Sequence, residues 1–199
     1  MNPPLLMWDI DDVLNDLIGL CTVTTAQKLC PGIKPEDIKS NPPLREYGCS
    51  REEYLQLLDN CRAQYLYSQP PRREVMAFFQ EWGNCFRSVT LSSAPMTTAP
   101  RSAEWVLRHF GAWIQSTLFV PSPRKTVTVR SCCFASKADA VLALDGILID
   151  DMPVNVEKVR EAGGKAFCFP APWNENRNIS INDFFSNLIK ELELSKWKK

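Results

Sequence analysis

The sequence predicts an α/β fold with an open, Rossmann-like parallel sheet, and three observations lead there. Short apolar runs recur along the chain, each stopped by an acid, a serine or a proline, as strands buried on both faces require. Longer stretches between them carry apolar residues at three- and four-residue spacing, the helical period. The two kinds alternate, and strand–helix alternation builds a parallel sheet with right-handed crossovers.

The first strand is Leu5-Leu6-Met7-Trp8, ending in Asp9. The second runs from Phe86 to Leu91 and is followed by Ser92-Ser93-Ala94-Pro95. A third covers Ser116 to Val120 and stops at Pro121. Gly146 to Ile149 leads into Asp150-Asp151, and Lys165 to Phe169 stops at Pro170. Helices are expected over Glu74 to Trp82 and Ser102 to Phe110, with Gly83 and Gly111 as stop residues. Ser136 with Asp139, and Ser180 with Asp183, read as N-cap pairs opening two more helices. Val154 to Ala162, ended by Gly163-Gly164, supplies another.

Residues 15–73 interrupt this alternation. They contain helical patterns but no strand, among them a capping box at Ser50-Arg51-Glu52-Glu53. Tyr54, Leu57, Leu58, Cys61 and Tyr65 then form one apolar stripe. The segment is too long for a crossover helix, so a small helical cap over the sheet edge is expected. The core is then residues 1–14 and 74–199.

Composition narrows the function classes. The chain has 199 residues, with 23 Lys and Arg against 23 Asp and Glu, and 45% of it is hydrophobic. Balanced charge argues against a nucleic-acid polymer as partner, which favours a basic surplus. No apolar run approaches the roughly 18–20 residues that span a bilayer, so no membrane association is expected. The first residues lack a basic leader, and acids break their apolar run at once. The eight cysteines form no C-x-x-C pair, and the single histidine, His109, cannot complete a paired Cys/His site. They read as reduced and mostly buried thiols, and the expected location is cytoplasmic. The adjacent Cys132-Cys133 pair does not suit a relaxed disulfide.

In an open α/β sheet, ligands bind at the carboxyl ends of the strands. There this chain places Asp9, Asp11, Ser92, Ser93, Asp150 and Asp151, with Lys137 at the start of a helix. Converging carboxylates repel one another and need a hard cation such as Mg2+. A lysine and a hydroxyl beside them suit a phosphate. Each piece also has a plainer reading. Asp-x-Asp caps many helices, Ser92-Ser93 can be an N-cap, Asp150-Asp151 can be a turn, and Lys137 can be a solvated lysine.

Taken together, these residues resemble the haloacid dehalogenase-like (HAD) phosphohydrolase superfamily. The resemblance runs from residue 5 to about residue 174. It rests on the run Leu5 to Leu14, an apolar strand followed by D-x-D-x-V-L. Val89-Thr90-Leu91-Ser92-Ser93 matches the second motif, Lys137 the third, and Ile147-Leu148-Ile149-Asp150-Asp151 the fourth. Lys125 is the rival to Lys137, which is preferred because the family places that lysine on the helix leading into strand four. The resemblance implies the strand order 5-4-1-2-3 and a C1-type cap over residues 15–73. It also implies that Asp9 is the nucleophile and Asp11 the general acid/base. Mg2+ would be held by Asp9, the Asp11 main-chain carbonyl and the Asp150-Asp151 pair, with Ser92, Ser93 and Lys137 on the phosphate. Superfamily dehalogenases lack the second Asp of the first motif, so phosphate-ester chemistry is expected over C–Cl hydrolysis.

Leu148 to Asn155, with Phe169-Pro170-Ala171-Pro172-Trp173-Asn174, is similar to the 5′(3′)-deoxyribonucleotidase-like branch. The implied substrate is a small phosphate ester, a (deoxy)nucleoside monophosphate on that branch, with a sugar phosphate as the alternative. The cap aromatics Tyr47, Tyr54, Tyr65 and Tyr67 offer no clear platform for a base. A non-catalytic binding protein of the same fold is the other class, although Asp9 and Asp11 are both present. A receiver domain would carry its phosphorylated Asp after the third strand, where this chain has Pro121. A monomer or homodimer is expected.

Overall fold

The computed structural model describes residues 2–122 and 133–198. Lys125, the Arg124 and Arg130 beside it, and Cys132 lie outside them. Five strands form one parallel sheet: β1 (Leu5–Trp8), β2 (Arg87–Ser92), β3 (Ile114–Phe119), β4 (Gly146–Asp150) and β5 (Lys165–Cys168). Their spatial order is β3-β2-β1-β4-β5, the expected order read from the other edge. β1 is central, with Met7 beside Val89 of β2 and Leu148 of β4.

Among the described residues eight α-helices accompany these strands: α1 (Leu17–Val23), α2 (Leu44–Tyr47), α3 (Arg51–Tyr65), α4 (Arg73–Trp82), α5 (Ala99–Phe110), α6 (Lys137–Leu144), α7 (Pro153–Glu161) and α8 (Ile181–Glu191). The alternation of side chains along β1 divides the core into two layers. Leu6 and Trp8 face a cluster that includes Val75, Phe78 and Phe79 of α4, Trp105 and Phe110 of α5, and Phe184 and Phe185 of α8. Leu5 and Met7 face the opposite cluster, with Ala140 and Val141 of α6 and Val156 and Val159 of α7. Phe78 and Phe185 stack with ring centroids 4.1 Å apart, while Trp8 sits 5.0 Å from Phe79.

Between β1 and β2 in the chain, α1–α3 build a third core of their own. Leu17, Ile18, Cys21, Tyr47, Tyr54, Leu57, Leu58 and Cys61 are buried together there. The Ser50 capping box forms as expected, with Ser50 Oγ accepting the Glu53 N–H at 3.2 Å and Glu53 accepting the Ser50 N–H at 2.8 Å. The chain leaves the sheet near Asn15-Asp16 and returns at Gln69–Arg72, and the two passages are tied together. Arg72 N–H donates to the Leu14 carbonyl at 2.9 Å, and Arg72 Nε to the Asn15 carbonyl at 2.9 Å. Gln69 Nε2 donates to the Asp16 carbonyl at 2.6 Å.

Three local readings are corrected. α5 starts at Ala99, with Pro100 in its first turn, rather than at Ser102. Ser92-Ser93 therefore caps no helix; Ser92 ends β2, and its Oγ accepts the Ala94 N–H at 3.1 Å. Gly83 and Gly111 end α4 and α5 with right-handed φ of −58° and −59°, not in the left-handed conformation of a glycine stop. Gly163, with φ of +87°, does adopt it. Among the described residues every cysteine is free, and four of them are buried, namely Cys21, Cys61, Cys85 and Cys168. No helix among the described residues is long and apolar enough to cross a membrane.

Candidate active site

The site forms where β1 and β4 end side by side. Asp9 N–H donates to the Ile149 carbonyl at 2.9 Å, which extends the ladder by one residue and sets Asp9 opposite Asp150. The chain then turns sharply through residues 10–14, where Asp12 takes a left-handed φ of 64°. That turn is locked from within. Asn15 Oδ1 accepts the Asp12 N–H at 3.1 Å, and Asp12 Oδ1 accepts the Ile18 N–H at 2.8 Å at the start of α1. Asp12 thus holds α1, and it lines the cleft together with Asp9 and Asp11.

Oxygens of Asp9, Asp150 and Asp151 lie within 4.8 Å of one another, all on buried side chains. Lys137, the first residue of α6, enters from the side. Its Nζ lies 2.9 Å from Asp9 Oδ1 and 2.6 Å from Asp150 Oδ2. The helix start that aims it is fixed by Ser136 Oγ, which accepts the Asp139 N–H at 3.1 Å. Burial works to lower the Lys137 pKa, but the charges of Asp150 and Asp9 outweigh it and hold the ammonium form.

The two acids ending β4 differ in their surroundings. Asp150 is fully engaged: Oδ1 accepts the Met152 N–H at 2.9 Å, Asn155 Nδ2 reaches both oxygens at 3.1 and 3.0 Å, and Lys137 takes Oδ2. Among the described residues Asp151 has only Oδ2 bonded, to Trp173 Nε1 at 2.9 Å. Burial lifts Asp151 well above the usual carboxylate range, helped by Asp150, Asp12 and Asp9. Burial also raises Asp9, to about 7, with Lys137 pulling the other way. Asp12 rises to about 8, again through burial, reinforced by Asp16.

These residues fit a hard divalent cation. The donors are oxygens only, as Mg2+ prefers. Asp9 Oδ2 and Asp151 Oδ1 carry no hydrogen bond among the described residues, and burial, with the neighbouring carboxylates, holds both acids above their normal pKa.

The cleft has a volume of about 260 Å3 and a second wall from the insertion. Arg51, Tyr54, Leu55, Leu58 and Arg62, spaced along one face of α3, form that wall with Asn41 and Pro42. Ser92 and Ser93 line the floor. Of the four tyrosines considered for a base, only Tyr54 lines the cleft, and it is 4% exposed, with its hydroxyl donating to Asn41 Oδ1 at 3.1 Å. Lys137, Asp9, Asp150, Asp151, Asp11, Ser92 and Ser93 thus all come to one region. Three contributors were not singled out as site residues from sequence: Arg62, which pairs with Asp11, Asn155, which brackets Asp150, and Trp173, which holds Asp151. For Arg62 a signal existed, because it continues the Tyr54–Leu58 stripe at helical spacing, where a charged residue must find a buried partner.

No protein-family model matches the chain, and no curated protein matches it by sequence. Solved structures do resemble it. A haloacid dehalogenase-like family hydrolase from Streptococcus pneumoniae superposes with a TM-score of 0.61 at 16% identity, covering 94% of this chain and 98% of that one. A conserved haloacid dehalogenase-like protein of unknown function from Agrobacterium tumefaciens gives 0.61 at 12% identity, over 96% and 100%. A protein described as a predicted phosphatase from Clostridium acetobutylicum gives 0.56 at 15% identity, over 97% and 99%. In its strand order and its overall course, the chain has the fold of the haloacid dehalogenase-like hydrolases.

Proposed function

We propose that this chain is a Mg2+-dependent phosphomonoester hydrolase that works through an aspartyl-phosphate on Asp9. The observation that carries the reading is the meeting of Asp9, Asp151 and the Asp150-held Lys137 at the floor of a cleft also lined by Asp11. A bound cation would neutralise phosphoryl oxygens there, held by Asp9 and Asp151 with the Asp11 main-chain carbonyl.

The Asp9 carboxylate attacks phosphorus in line, and the bond from phosphorus to the leaving alkoxide breaks. Asp11 gives that oxygen a proton. Asp11 then takes a proton from water as the water attacks the aspartyl-phosphate, releasing Asp9 and orthophosphate. Lys137 counters the negative charge that gathers on the phosphoryl group, while Ser92 and Ser93 donate to its oxygens. Asp150 acts through Lys137, fixing the ammonium against Asp9. Asp9 is only 9% exposed, so the wall from α3 keeps most water from the nucleophile.

The insertion over residues 15–73 acts in this reading as the cap that sets substrate choice. (Deoxy)nucleoside monophosphates are the proposed substrate class, resting on the Leu148 to Asn155 and Phe169 to Asn174 runs. The test is Mg2+-dependent turnover of p-nitrophenyl phosphate, nucleoside 5′- and 3′-monophosphates and sugar phosphates, wild type beside Asp9→Asn. Turnover lost with EDTA and with Asp9→Asn is the expected result, with nucleotides preferred. Turnover that survives Asp9→Asn overturns the covalent mechanism, and a preference for sugar phosphates overturns the substrate class.

A further inference from the structure

The loop between β5 and α8 takes no part in the chemistry above, yet it grips Asp151 at both ends. Trp173 Nε1 donates to Asp151 Oδ2 at 2.9 Å. Its neighbour Asn174 donates through Nδ2 to the Asp151 carbonyl and the Phe169 carbonyl, each at 2.8 Å. Asn174 is itself fixed, because its Oδ1 accepts the Asn176 N–H at 3.0 Å. The indole ring, half-buried, packs against the hydrophobic cluster of α1 and α3 rather than against the sheet core. Trp173 therefore stands between that cluster and a buried carboxylate.

An indole N–H can only donate, so its contact both satisfies one oxygen of the buried acid and fixes where that oxygen lies. A carboxylate pinned at one oxygen loses its rotational freedom and presents the other in a fixed direction. We propose that Trp173 is a positioning residue for Asp151: by holding Oδ2 it aims Oδ1 at the divalent cation. This rests on the reading that Asp9 and Asp151 hold such a cation. Partners that orient a metal ligand from behind commonly change metal affinity by about 10- to 100-fold when removed. Packing alone predicts something different, since it depends on the ring's shape and not on its hydrogen.

The experiment counts free Mn2+ by its electron paramagnetic resonance signal during titration of the full-length protein. Trp173→Phe is expected to weaken Mn2+ binding by about 10- to 100-fold. Replacement of Trp173 by β-(3-benzothienyl)alanine keeps the bicyclic shape and puts sulfur in place of the N–H, so it remains informative if Trp173→Phe does not fold. The same loss of affinity is expected from it. Wild-type affinity in the benzothienyl protein overturns the proposal, because shape alone then suffices. A wild-type protein that binds no Mn2+ overturns the metal reading itself and this inference with it.

Discussion

Arg62 donates through Nη2 and Nε to one oxygen of Asp11, Oδ2, at 2.6 and 3.1 Å. The remaining arm of the fork, Nη1, reaches Asp59 Oδ1 at 3.2 Å, one turn back on α3. From the other side Asn15 Nδ2 approaches Asp11 Oδ1 at 3.4 Å. The side chains of Arg62 and Asp11 are 6% and 13% exposed, so this pair joins the α3 wall to the turn after β1 out of reach of most solvent. Burial works to lower the Arg62 pKa, but Asp11 outweighs it and keeps the guanidinium charged.

If Asp11 serves as acid and base, its carboxyl must keep a set direction, and Arg62 supplies it. Arg62→Ala is expected to lower kcat by about 100-fold, the scale at which a misplaced catalytic group is felt. It should also cost about 3–5 kcal/mol of stability, because Asp11 is left buried without its partner. Arg62→Lys should fall between, since an ammonium cannot make the forked contact to Asp11 and Asp59 together. Urea unfolding beside kcat on p-nitrophenyl phosphate separates the two effects. Unchanged values of both in Arg62→Ala would place Arg62 outside the site.

Much of this architecture was legible in sequence because it is written in local patterns. Strand runs ending in Asp9, Ser92 and Asp150 gave the sheet and the line of carboxyl ends, within two residues of the observed boundaries. The Ser50–Glu53 box placed α3 to the residue. What local pattern could not give was contact across the chain. Nothing near Arg62 names Asp11 as its partner, and nothing in Asp150-Asp151 says which acid is engaged. That difference comes from Asn155 one turn into α7 and from Trp173 beyond β5. Gly83 and Gly111 end α4 and α5 where expected but without the left-handed conformation, and for Gly83 the need for glycine comes from a neighbour distant in sequence.

A Cβ on Gly83 would lie 2.4 Å from Cδ1 of the Trp113 ring. Its backbone is ordinary, so the whole penalty of Gly83→Ala is steric, and Trp113 must shift within a packed cluster. A loss of about 1–3 kcal/mol is expected, as for other overpacked cores. Gly163→Ala meets open space but must hold φ at +87°, and should cost about 1–2 kcal/mol through backbone strain. Adding Trp113→Ala to each variant distinguishes them. It should abolish the further cost of Gly83→Ala and leave that of Gly163→Ala intact, read by denaturant midpoints.

Without a cation, the buried acids should make stability depend on pH in an unusual direction. Asp9 at about 7 and Asp12 at about 8 both stand above their unfolded values, with Asp151 raised as well. Between about pH 4 and these values the folded chain binds more protons than the unfolded one, so its stability falls as pH rises. The melting temperature of the EDTA-treated protein should therefore drop from pH 5 to pH 8. Mg2+ binds the ionised carboxylates and opposes this, so the stabilisation it gives should grow over the same interval. A Mg2+ effect equal at both values would argue against Asp9 and Asp151 as its ligands.

The unequal engagement of Asp150 and Asp151 should divide metal binding from lysine positioning. Asp150 spends both oxygens on Lys137, Asn155 and the Met152 N–H, so Asp150→Asn should leave Mn2+ affinity within a few-fold of wild type. It should nevertheless lower kcat by about 100- to 1,000-fold, because the amide turns an N–H toward Lys137 or Asn155 and the ammonium loses its hold beside Asp9. Asp151→Asn should instead abolish Mn2+ binding, since its one bond to Trp173 leaves the other oxygen for the cation and an amide cannot supply the charge. Titrating Mn2+ into both variants and measuring kcat at saturating metal reads the two roles apart. The reverse pattern, metal lost in Asp150→Asn and retained in Asp151→Asn, would exchange the assignments and would require the Lys137 contact to break when the cation binds.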